Sequence, residues 1–492
     1  MITSAEKALT RKCLAMAAEA GAQKARISLT KSSMNLVSTL NGEVDRVTSC
    51  QDRSLSIVLF CDGRYGSYST NKLDEGDLRI FIRKAAEMTR LLAPDSCRDL
   101  PASDRTVKDA VMGTELGIYD PAFETITPEQ RRAFALDNVV YSSELPAALE
   151  EPSSFGKPAG GGDLSSCNSF ELHKTLGESA VEGRGSLAGA TDWKLISEEG
   201  EYSDSDFHNY IVDSQGLEAL HSETSFEYGT ELTIEDEGGN KYSGGWWTAS
   251  PSLKEFRPEE VGPAALKEAV DQIGPRGCRS GKYTLVIDSE VSQKLVNPIL
   301  GALNAYNVQQ KNSFLADALG KKVFHEGMNL MDLPRSAGEL GAKYFDSEGV
   351  ATENHTVIEN GVVKEFFVNT FMANKTGLSP TCEDVVRPKL LPWSADGAVR
   401  RTRQEIIDYC GDGILVTDIE GGNSNTATGD FSFAIQGYRF KKGKVAFPVR
   451  EMLITGNIVT LWQNLIAAGD DARLCRTKLI PTLAFKDVDF SG

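Results

Sequence analysis

Apolar and polar residues alternate near the C-terminal end of the chain in the way that a half-buried β-strand requires. Residues 431–436 read FSFAIQ, with an aromatic or aliphatic side chain at every second position. After Gly437 the apolar positions shift to Tyr438 and Phe440, a change of face that one extra residue at a β-bulge would produce. Residues 442–454 read as a Lys-Gly turn followed by a second strand. The pattern therefore predicts a buried hairpin with a bulge at Gly437.

A polar segment precedes this hairpin and a helical pattern follows it. Residues 421–425 read GGNSN and predict a loop whose backbone N–H groups can cradle an anion. A loop that needs positive φ explains the same residues without a ligand, since no Lys or Arg lies among them. After the hairpin, Asn457 predicts a helix cap, and apolar residues recur at helical spacing from Ile458 until Gly469. We therefore expect a helix over residues 458–468.

The N-terminal pattern predicts an α/β unit over residues 1–110. A helix over residues 5–20 precedes alternating strand segments, and Asn41-Gly42 supplies the residues of a type I′ hairpin turn. Residues 55–60 read as a buried strand, and the apolar residues of 78–89 lie on one side of a predicted helix. This unit is expected to form layers of mixed sheet and helices.

A central domain is predicted over residues 111–276. It contains a helix over residues 128–140, a Gly- and Ser-rich insertion near residues 150–189, and strands that follow the insertion. Trp246 and Trp247 are neighbours in one of these strands and therefore face opposite sides of the sheet. At most one of them can line a given groove.

The last unit, residues 277–492, is predicted as a β-rich domain with flanking helices. Residues 283–287 read as a strand, and Asp288 predicts the cap of a helix that Pro298 kinks. Residues 357–368 predict a further hairpin on an Asn-Gly turn. The predicted fold class is therefore α+β, with N-terminal α/β layers followed by a C-terminal β-rich domain.

Composition and charge limit the partners of the chain. No apolar run approaches the roughly 18 residues of a membrane span, and the charges between Glu6 and Glu19 argue against an export signal. The formal net charge of −18 disfavours binding to a phosphate backbone, because affinity for DNA is built from Lys and Arg. Nine cysteines without C-x-x-C spacing read as reduced thiols. We expect a cytoplasmic protein that binds neither a membrane nor nucleic acid directly.

Familiar catalytic motifs are missing from the sequence. There is no G-x-S-x-G elbow, no Walker lysine and no G-x-G-x-x-G after a strand. His325-Glu326 begins neither HExxH nor HExxxH, because Asn329 and Leu330 occupy the positions of a second histidine. A turn histidine is the simpler interpretation. Asp430 has the chemistry of a general base, but next to a glycine a turn hydrogen bond explains it better.

Five blocks within residues 282–490 resemble the TldD/PmbA family in sequence and in order. Around the hairpin they are T-G-D-F-S, G-Y, K-G-K, P-V-R-E and I-T-G-N, which together make one block. The other blocks are QKNSFLADAL from Gln310, FDSEGV from Phe345, VIENGV from Val357 and LVTDI from Leu415. Each block alone is weak, whereas five in the same order are specific.

TldD-type members of this family carry an HExxxH zinc motif on the helix after the first strand of the C-terminal unit. Two imidazoles hold the metal in such a motif, and the glutamate acts on the metal-bound water. At the matching positions this chain has Asp288, Ser289 and Gln293, so the resemblance implies no catalytic residue and no metal ligand here. Cys475 lies where active members have a cysteine ligand, but one thiolate does not make a stable zinc site. No cofactor is expected in this chain, and zinc is expected in a TldD-type partner.

Loss of the motif is typical of the PmbA (TldE) branch of the family. The resemblance implies a metal-free subunit of a cytosolic TldD-type zinc metallopeptidase that acts on unfolded or extended peptides. Its partner would be a TldD-type subunit or a second copy of the chain. Gly421, Gly422, Asn423 and Asp430 are candidates for lining the peptide or the partner.

Two alternatives stay open at the level of sequence. The chain is a metallopeptidase in its own right with an unrecognised site, or a non-enzymatic homo-oligomeric scaffold or binding protein. The family association with modulation of DNA gyrase is not supported as direct DNA binding, because the chain is acidic.

Helix geometry adds an expectation about positions 288 and 293. On a regular α-helix, side chains five residues apart point about 140° away from each other. Both reach one metal only if a π-type turn widens the start of the helix. Without a metal to hold that turn, we expect this segment to have relaxed to a regular α-helix.

Overall fold

The computed structural model describes residues 1–141 and 193–492, and the predicted insertion near residues 150–189 lies outside this part of the chain. Its helices are α1 (Ser4–Glu19), α2 (Glu75–Thr89), α3 (Pro128–Leu136), α4 (Val261–Asp271), α5 (Asn297–Ala302), α6 (Ala305–Gln309), α7 (Thr370–Thr376), α8 (Arg403–Cys410) and α9 (Ile458–Gln463). Its strands are β1 (Lys24–Leu40), β2 (Glu43–Cys61), β3 (Arg64–Thr70), β4 (Trp193–Asp213), β5 (Glu218–Asp236), β6 (Lys241–Ser250), β7 (Gly281–Ile287), β8 (Leu330–Asp332), β9 (His355–Glu359), β10 (Val362–Val363), β11 (Pro388–Leu390), β12 (Trp393–Ser394), β13 (Gly413–Ser424), β14 (Asp430–Lys441), β15 (Lys444–Asn457), β16 (Leu465–Ala468) and β17 (Leu483–Ser491). Sheets and helices are mixed throughout, and the predicted α+β class is confirmed.

The N-terminal sheet contains strands from both sides of residues 142–192. Its order is β3-β2-β1-β4-β5-β6, and every pairing is antiparallel. The sheet therefore runs without a break across the predicted boundary at residue 110.

Helices cover one face of this sheet. Thr3 caps α1 through a capping box with Glu6, and Asp74 caps α2. Both helices bury their apolar sides against a cluster that includes Ile27 of β1. Helix α3 packs further along β1, on a cluster that includes Val37. Val37 is an even number of residues from Ile27 in the strand, so both side chains lie on the same face of the sheet. Helix α4 covers the β5 and β6 end of that face.

The C-terminal unit is built on a closed barrel. Strand β7 is parallel to β13 on one side and antiparallel to β17 on the other. Strands β14 and β15 complete the ring β17-β15-β14-β13-β7, and β16 and β12 extend it from β17. Closure removes the free edges that an open sheet would expose.

Strands β14 and β15 form the predicted hairpin, and the bulge at Gly437 is confirmed. Their register shifts between Ile435 and Gly437. A Cβ atom on Gly437 would lie 1.8 Å from the carbonyl oxygen of Leu415, so a residue with a side chain does not fit there. The close approach of β13 explains why glycine occupies this position.

The predicted Asn-Gly turns are also confirmed. Asn41 and Gly42 have φ values of 50° and 80°, and Asn360 and Gly361 have 50° and 77°. Positive φ at both positions is what a type I′ turn requires.

Two predictions about the ends of the barrel hairpin were wrong. Residues 421–424 do not form a loop, because β13 continues through Ser424 and pairs with β14 across a second register shift. The helix after Asn457 ends at Gln463, and residues 465–468 form β16, which pairs with β17. Apolar spacing alone does not distinguish a longer helix from a short helix followed by a buried strand.

The prediction of a helix from Asp288 was also wrong. A turn follows β7, residues 292–295 form a 3-10 helix, and α5 begins only at Asn297. Pro298 lies in the first turn of α5, where its missing N–H has no helical partner to lose. It therefore starts a helix instead of kinking one.

None of the helices in the described ranges combines the length and the apolar character that a membrane crossing demands.

The faces of the hairpin can be tested by mutation. Phe431 is 5% exposed and stacks on Phe433 with ring centroids 5.5 Å apart, whereas the neighbouring Asp430 is exposed. We expect Phe431→Ala to lower the free energy of unfolding by about 3–5 kcal/mol. Asp430→Ala, the control, should lower it much less. Equal losses in a denaturant titration would mean that the faces are assigned wrongly.

Candidate functional site

Residues 288–293, which we name the Asp288 turn, contain the three residues at the predicted metal positions. The N–H of Asp288 donates to the carbonyl of Val416 at 2.9 Å and so extends the β7–β13 ladder. Oδ1 of Asp288 accepts from the N–H of Glu290 at 2.9 Å, which closes an Asx turn. Gln293 follows in the 3-10 helix. Positions 288 and 293 thus share no α-helix, and the expected relaxed helical geometry does not occur.

The carboxylate of Asp288 is paired with an arginine. Nη1 of Arg403, at the start of α8, lies 2.5 Å from Oδ2, and the Asp288 side chain is 8% exposed. Removing the partner of a buried charge is strongly unfavourable, because the remaining charge has neither water nor a counterion. Arg403 therefore supplies the positive charge that Asp288 needs.

Glu290 has two arginine partners from the segment that precedes β17. Arg473 Nη1 lies 2.7 Å from Oε1, and Arg476 Nη2 lies 2.5 Å from Oε2. All three side chains are less than 20% exposed. Charge-assisted hydrogen bonds in such surroundings are stronger than those on the surface. We name Arg403, Arg473 and Arg476 the arginine cluster.

The arginine cluster joins the barrel to the N-terminal sheet. Arg473 lies over the ring of Trp246 at 4.3 Å from its centroid and also donates to the carbonyl of Trp247. Arg476 lies 5.0 Å from the centroid of Trp247. Stacking on an aromatic face and bonding to carboxylate oxygens use different parts of a guanidinium, so both occur together.

A further carboxyl group lies next to this cluster. Burial, together with the charges of Asp288 and Glu290, raises the pKa of Glu268 in α4 to about 7, although a hydrogen bond from the N–H of Gly245 and the charge of Arg403 act to lower it. Sequence reasoning missed this residue, because nothing in the local pattern of α4 places it beside the Asp288 turn.

The donor groups at the Asp288 turn do not fit zinc. Both carboxylates are already neutralised by guanidinium groups, and Ser289 and Gln293 are not the His, Cys or carboxylate ligands that zinc sites use. Burial raises the pKa of the Cys475 thiol, which favours the protonated form. Within residues 1–141 and 193–492, no group of three or more His, Cys, Asp and Glu side chains is arranged to hold a metal ion.

An open groove lies beside Trp247 on the face of the N-terminal sheet that the helices leave uncovered. Its volume is about 630 Å³, and its walls include Glu199, Glu201, Glu227 and Glu231 from neighbouring strands. Glu199 and Glu231 lie directly opposite each other in the β4–β5 ladder, an arrangement that costs stability. We name this feature the acidic groove.

The two tryptophans face opposite sides of the sheet, as predicted. Trp247 lines the acidic groove, and a Cβ atom on the cross-strand Gly229 would lie 3.3 Å from the Trp247 Cβ. Trp246 packs on the opposite face against the clusters beneath α3 and α4. The groove therefore ends at a side chain that contacts the arginine cluster.

The four candidate lining residues lie at the other end of β13. Gly421, Gly422 and Asn423 are exposed strand residues, and a Cβ atom on Gly422 would lie 2.1 Å from the carbonyl oxygen of Ser432. Asp430 accepts from Thr428 Oγ1 at 2.8 Å and from Asn457 Nδ2 at 3.0 Å. The turn hydrogen bond predicted for Asp430 is confirmed, and the lining role of these residues stays a prediction.

His325 lies in a turn, as predicted. Its ring packs edge-on against Trp393 with centroids 4.7 Å apart, and Nδ1 accepts from the N–H of Gly327 at 3.1 Å. Burial lowers the pKa of this imidazole. These contacts give the residue a structural role.

Comparisons with known proteins agree with this architecture. Residues 280–492 match the PmbA/TldA metallopeptidase C-terminal domain, and residues 25–89 match PmbA/TldA metallopeptidase domain 1. A solved structure from Bacteroides thetaiotaomicron, a candidate modulator of DNA gyrase, is 31% identical with a TM-score of 0.84 and covers all of both chains. Metalloprotease PmbA of Escherichia coli O157:H7 is 24% identical over 465 residues, which are 93% of this chain and 91% of that protein.

The fold extends to an archaeal relative. TldE from Thermococcus kodakarensis superimposes with a TM-score of 0.76 at 17% identity, over 98% of this chain and all of that one. The matches define a protein of the metallopeptidase type. Within that class, the chain belongs to the PmbA/TldD family, as its sequence blocks predicted.

Restoring the three motif residues should not create a zinc site. In the triple variant Asp288→His, Ser289→Glu, Gln293→His, the new side chains start from a strand end, a turn and a 3-10 helix, beside three guanidinium groups. We expect calorimetry to detect no stoichiometric zinc binding by the folded variant. The wild-type chain is the control. Tight one-to-one binding would show that the turn keeps a ligand geometry.

Glu268 should make stability depend on pH. Its folded pKa of about 7 exceeds the ordinary 4.5, so its stabilising contribution is present below pH 4.5 and is lost as pH rises through 7. The loss is on the order of 3 kcal/mol. Between pH 5 and pH 8, the free energy of unfolding of the wild type should therefore fall by about this amount more than that of Glu268→Gln, as measured by denaturant titration. The exposed control Glu259→Gln should leave the difference unchanged.

Proposed function

We propose that this chain is the metal-free subunit of a TldD-type zinc metallopeptidase complex that acts on unfolded or extended peptides in the cytoplasm. The observation that carries the proposal is the Asp288 turn, where the carboxylate at the first position of the family's metal motif pairs with Arg403, and the adjacent Glu290 pairs with Arg473 and Arg476. A chain with this turn needs another subunit to supply a metal and an activated water.

The acidic groove supports a peptide as the substrate. An extended chain is narrow enough to lie across an open sheet face, and Trp247 offers an aromatic surface at the end nearest the arginine cluster. The groove carries mainly carboxylates, so it does not suit nucleic acid. The DNA gyrase association of the Bacteroides relative is therefore not extended to direct DNA binding here.

A free strand segment gives a second contact for a peptide. Pairing of β13 with β7 ends at Val416, so residues 417–424 have β14 on one side and no strand on the other in the described part of the chain. Backbone groups of such an edge bind extended peptides irrespective of sequence. Gly421, Gly422 and Asn423 lie in this segment and Asp430 follows it, which supports their role in lining the peptide or the partner.

The division of labour then follows from the chemistry that each subunit holds. A TldD-type subunit carries the zinc and the catalytic residues. This chain contributes walls and strand edges, which position a substrate without taking part in proton transfer. Peptide cleavage should therefore be absent both from the single chain and from an assembly of its own copies, because neither contains the TldD-type subunit.

The proposal is tested by separating the subunits. The purified chain should hold no stoichiometric zinc and should not cleave an unfolded peptide, whereas cleavage sensitive to chelators should appear when a TldD-type subunit from the same genome is added. A partner whose metal-binding histidines are replaced by alanine is the control. Zinc-dependent cleavage by the chain alone would instead favour a metallopeptidase in its own right, and failure to bind any TldD-type subunit would favour a scaffold.

A further inference from the structure

Residues 43–54 of strand β2 form a sheet edge that is unpaired in the described part of the chain. β3 pairs only with residues 55–61, so residues 43–54 have β1 on one side and, as far as the chain is described, no strand on the other. Long unpaired edges attract other strands, and proteins usually shorten, bend or cover them. This edge is twelve residues long by the same register, and its backbone groups face outward.

The charges along this edge complement themselves in an antiparallel arrangement. The sequence from Asp45 to Arg53 reads DRVTSCQDR, with the same Asp-Arg pair at both ends. When two copies pair about a twofold axis at Ser49, Asp45 lies opposite Arg53 and Arg46 lies opposite Asp52. The twofold axis repeats each contact, so four opposite-charge pairs form.

Other registers lose this match. Side-chain faces are preserved only when the register moves by two residues, which places the axis at Thr48 or Cys50. With the axis at Thr48, Glu43 meets Arg53, while Arg46 and Asp52 lose their partners. With the axis at Cys50, no opposite charges meet. The register about Ser49 is therefore specified by charge.

The side chains of this edge are available for such a contact. Asp45, Arg46, Asp52 and Arg53 are all exposed, and in the described ranges Arg53 alone among them has an ion pair, at 3.7 Å from Glu6. Apolar side chains of the same hairpin are exposed too: Met34 at 37%, Leu40 at 43% and Val47 at 53%. Asp45 is the extra residue of a β1–β2 bulge, whereas Arg46 and Asp52 lie in the regular ladder and form the central pairs.

We propose that the β2 edges of two copies of this chain pair antiparallel about Ser49 and join their N-terminal sheets into one. Asp45 and Arg46 also line the acidic groove, so the contact brings two grooves next to each other. The inference does not rest on the proposed peptidase complex, because it is argued only from the unpaired edge and the charges of β2.

Charge reversal tests the register. Arg46→Glu with Arg53→Glu makes the edge wholly acidic, and Asp45→Arg with Asp52→Arg makes it wholly basic. In sedimentation experiments on the full chain, each double variant should raise the Kd of the dimer by at least ~10-fold. An equimolar mixture of the two variants should restore association, because every opposed pair is again of opposite charge.

A control of equal charge change separates register from net charge. Lys12→Glu with Arg79→Glu alters the charge as much as the acidic edge variant, at exposed helix residues that pair with Glu75 and Glu19 and not with residues 43–54, and should leave the Kd unchanged. Ser49→Cys with Cys50→Ser places a thiol on the axis, where Cβ atoms of opposed residues lie about 5 Å apart. A short thiol cross-linker should then join two copies, and Cys50→Ser alone should not be joined. A monomeric wild type, or a dimer insensitive to both edge variants, would overturn the proposal.

Discussion

The double pairing of β7 is the constraint on which the rest of the C-terminal unit depends. One strand of seven residues bonds to β13 on one edge and to β17 on the other, and this closes the barrel. Because residues 285–287 at the end of β7 are paired on both sides, the chain that leaves the strand is fixed in direction, and the N–H of Asp288 still bonds to β13. The position of the Asp288 turn, and of every charged group around it, follows from that closure.

Charge compensation explains why the Asp288 turn is stable without metal ligands. Asp288 and Glu290 are both largely buried, and a carboxylate in that setting requires a hydrogen-bonded counterion. Three guanidinium groups meet this need, and two of them, Arg473 and Arg476, also hold the segment before β17 against Trp246 and Trp247. Glu268 has no ion pair in the described part of the chain, and burial together with the charges of Asp288 and Glu290 raises the pKa of its carboxyl group.

The features that were predicted correctly are those that short stretches of the sequence determine. The alternation of apolar and polar residues identified the buried face that contains Phe431. A shift in that alternation predicted the bulge at Gly437, and Asn-Gly pairs predicted two turns. Two of the failures involve partners that are distant in sequence. Residues 465–468 become a strand because β17 lies beside them, and Glu290 meets Arg473 across 183 residues. No periodicity within a window of one element records such contacts.

The charged groups of the Asp288 turn and those of the acidic groove differ in how their charges are balanced. At the Asp288 turn, each carboxylate is paired with an arginine of the chain itself. In the acidic groove, Glu199 faces Glu231 across the ladder, a repulsion that the fold tolerates only because both side chains are exposed and screened by solvent. A cationic group entering the groove would relieve that repulsion. The outward-facing chemistry of this chain therefore lies in the acidic groove of the N-terminal sheet and in the free segment of β13 in the barrel.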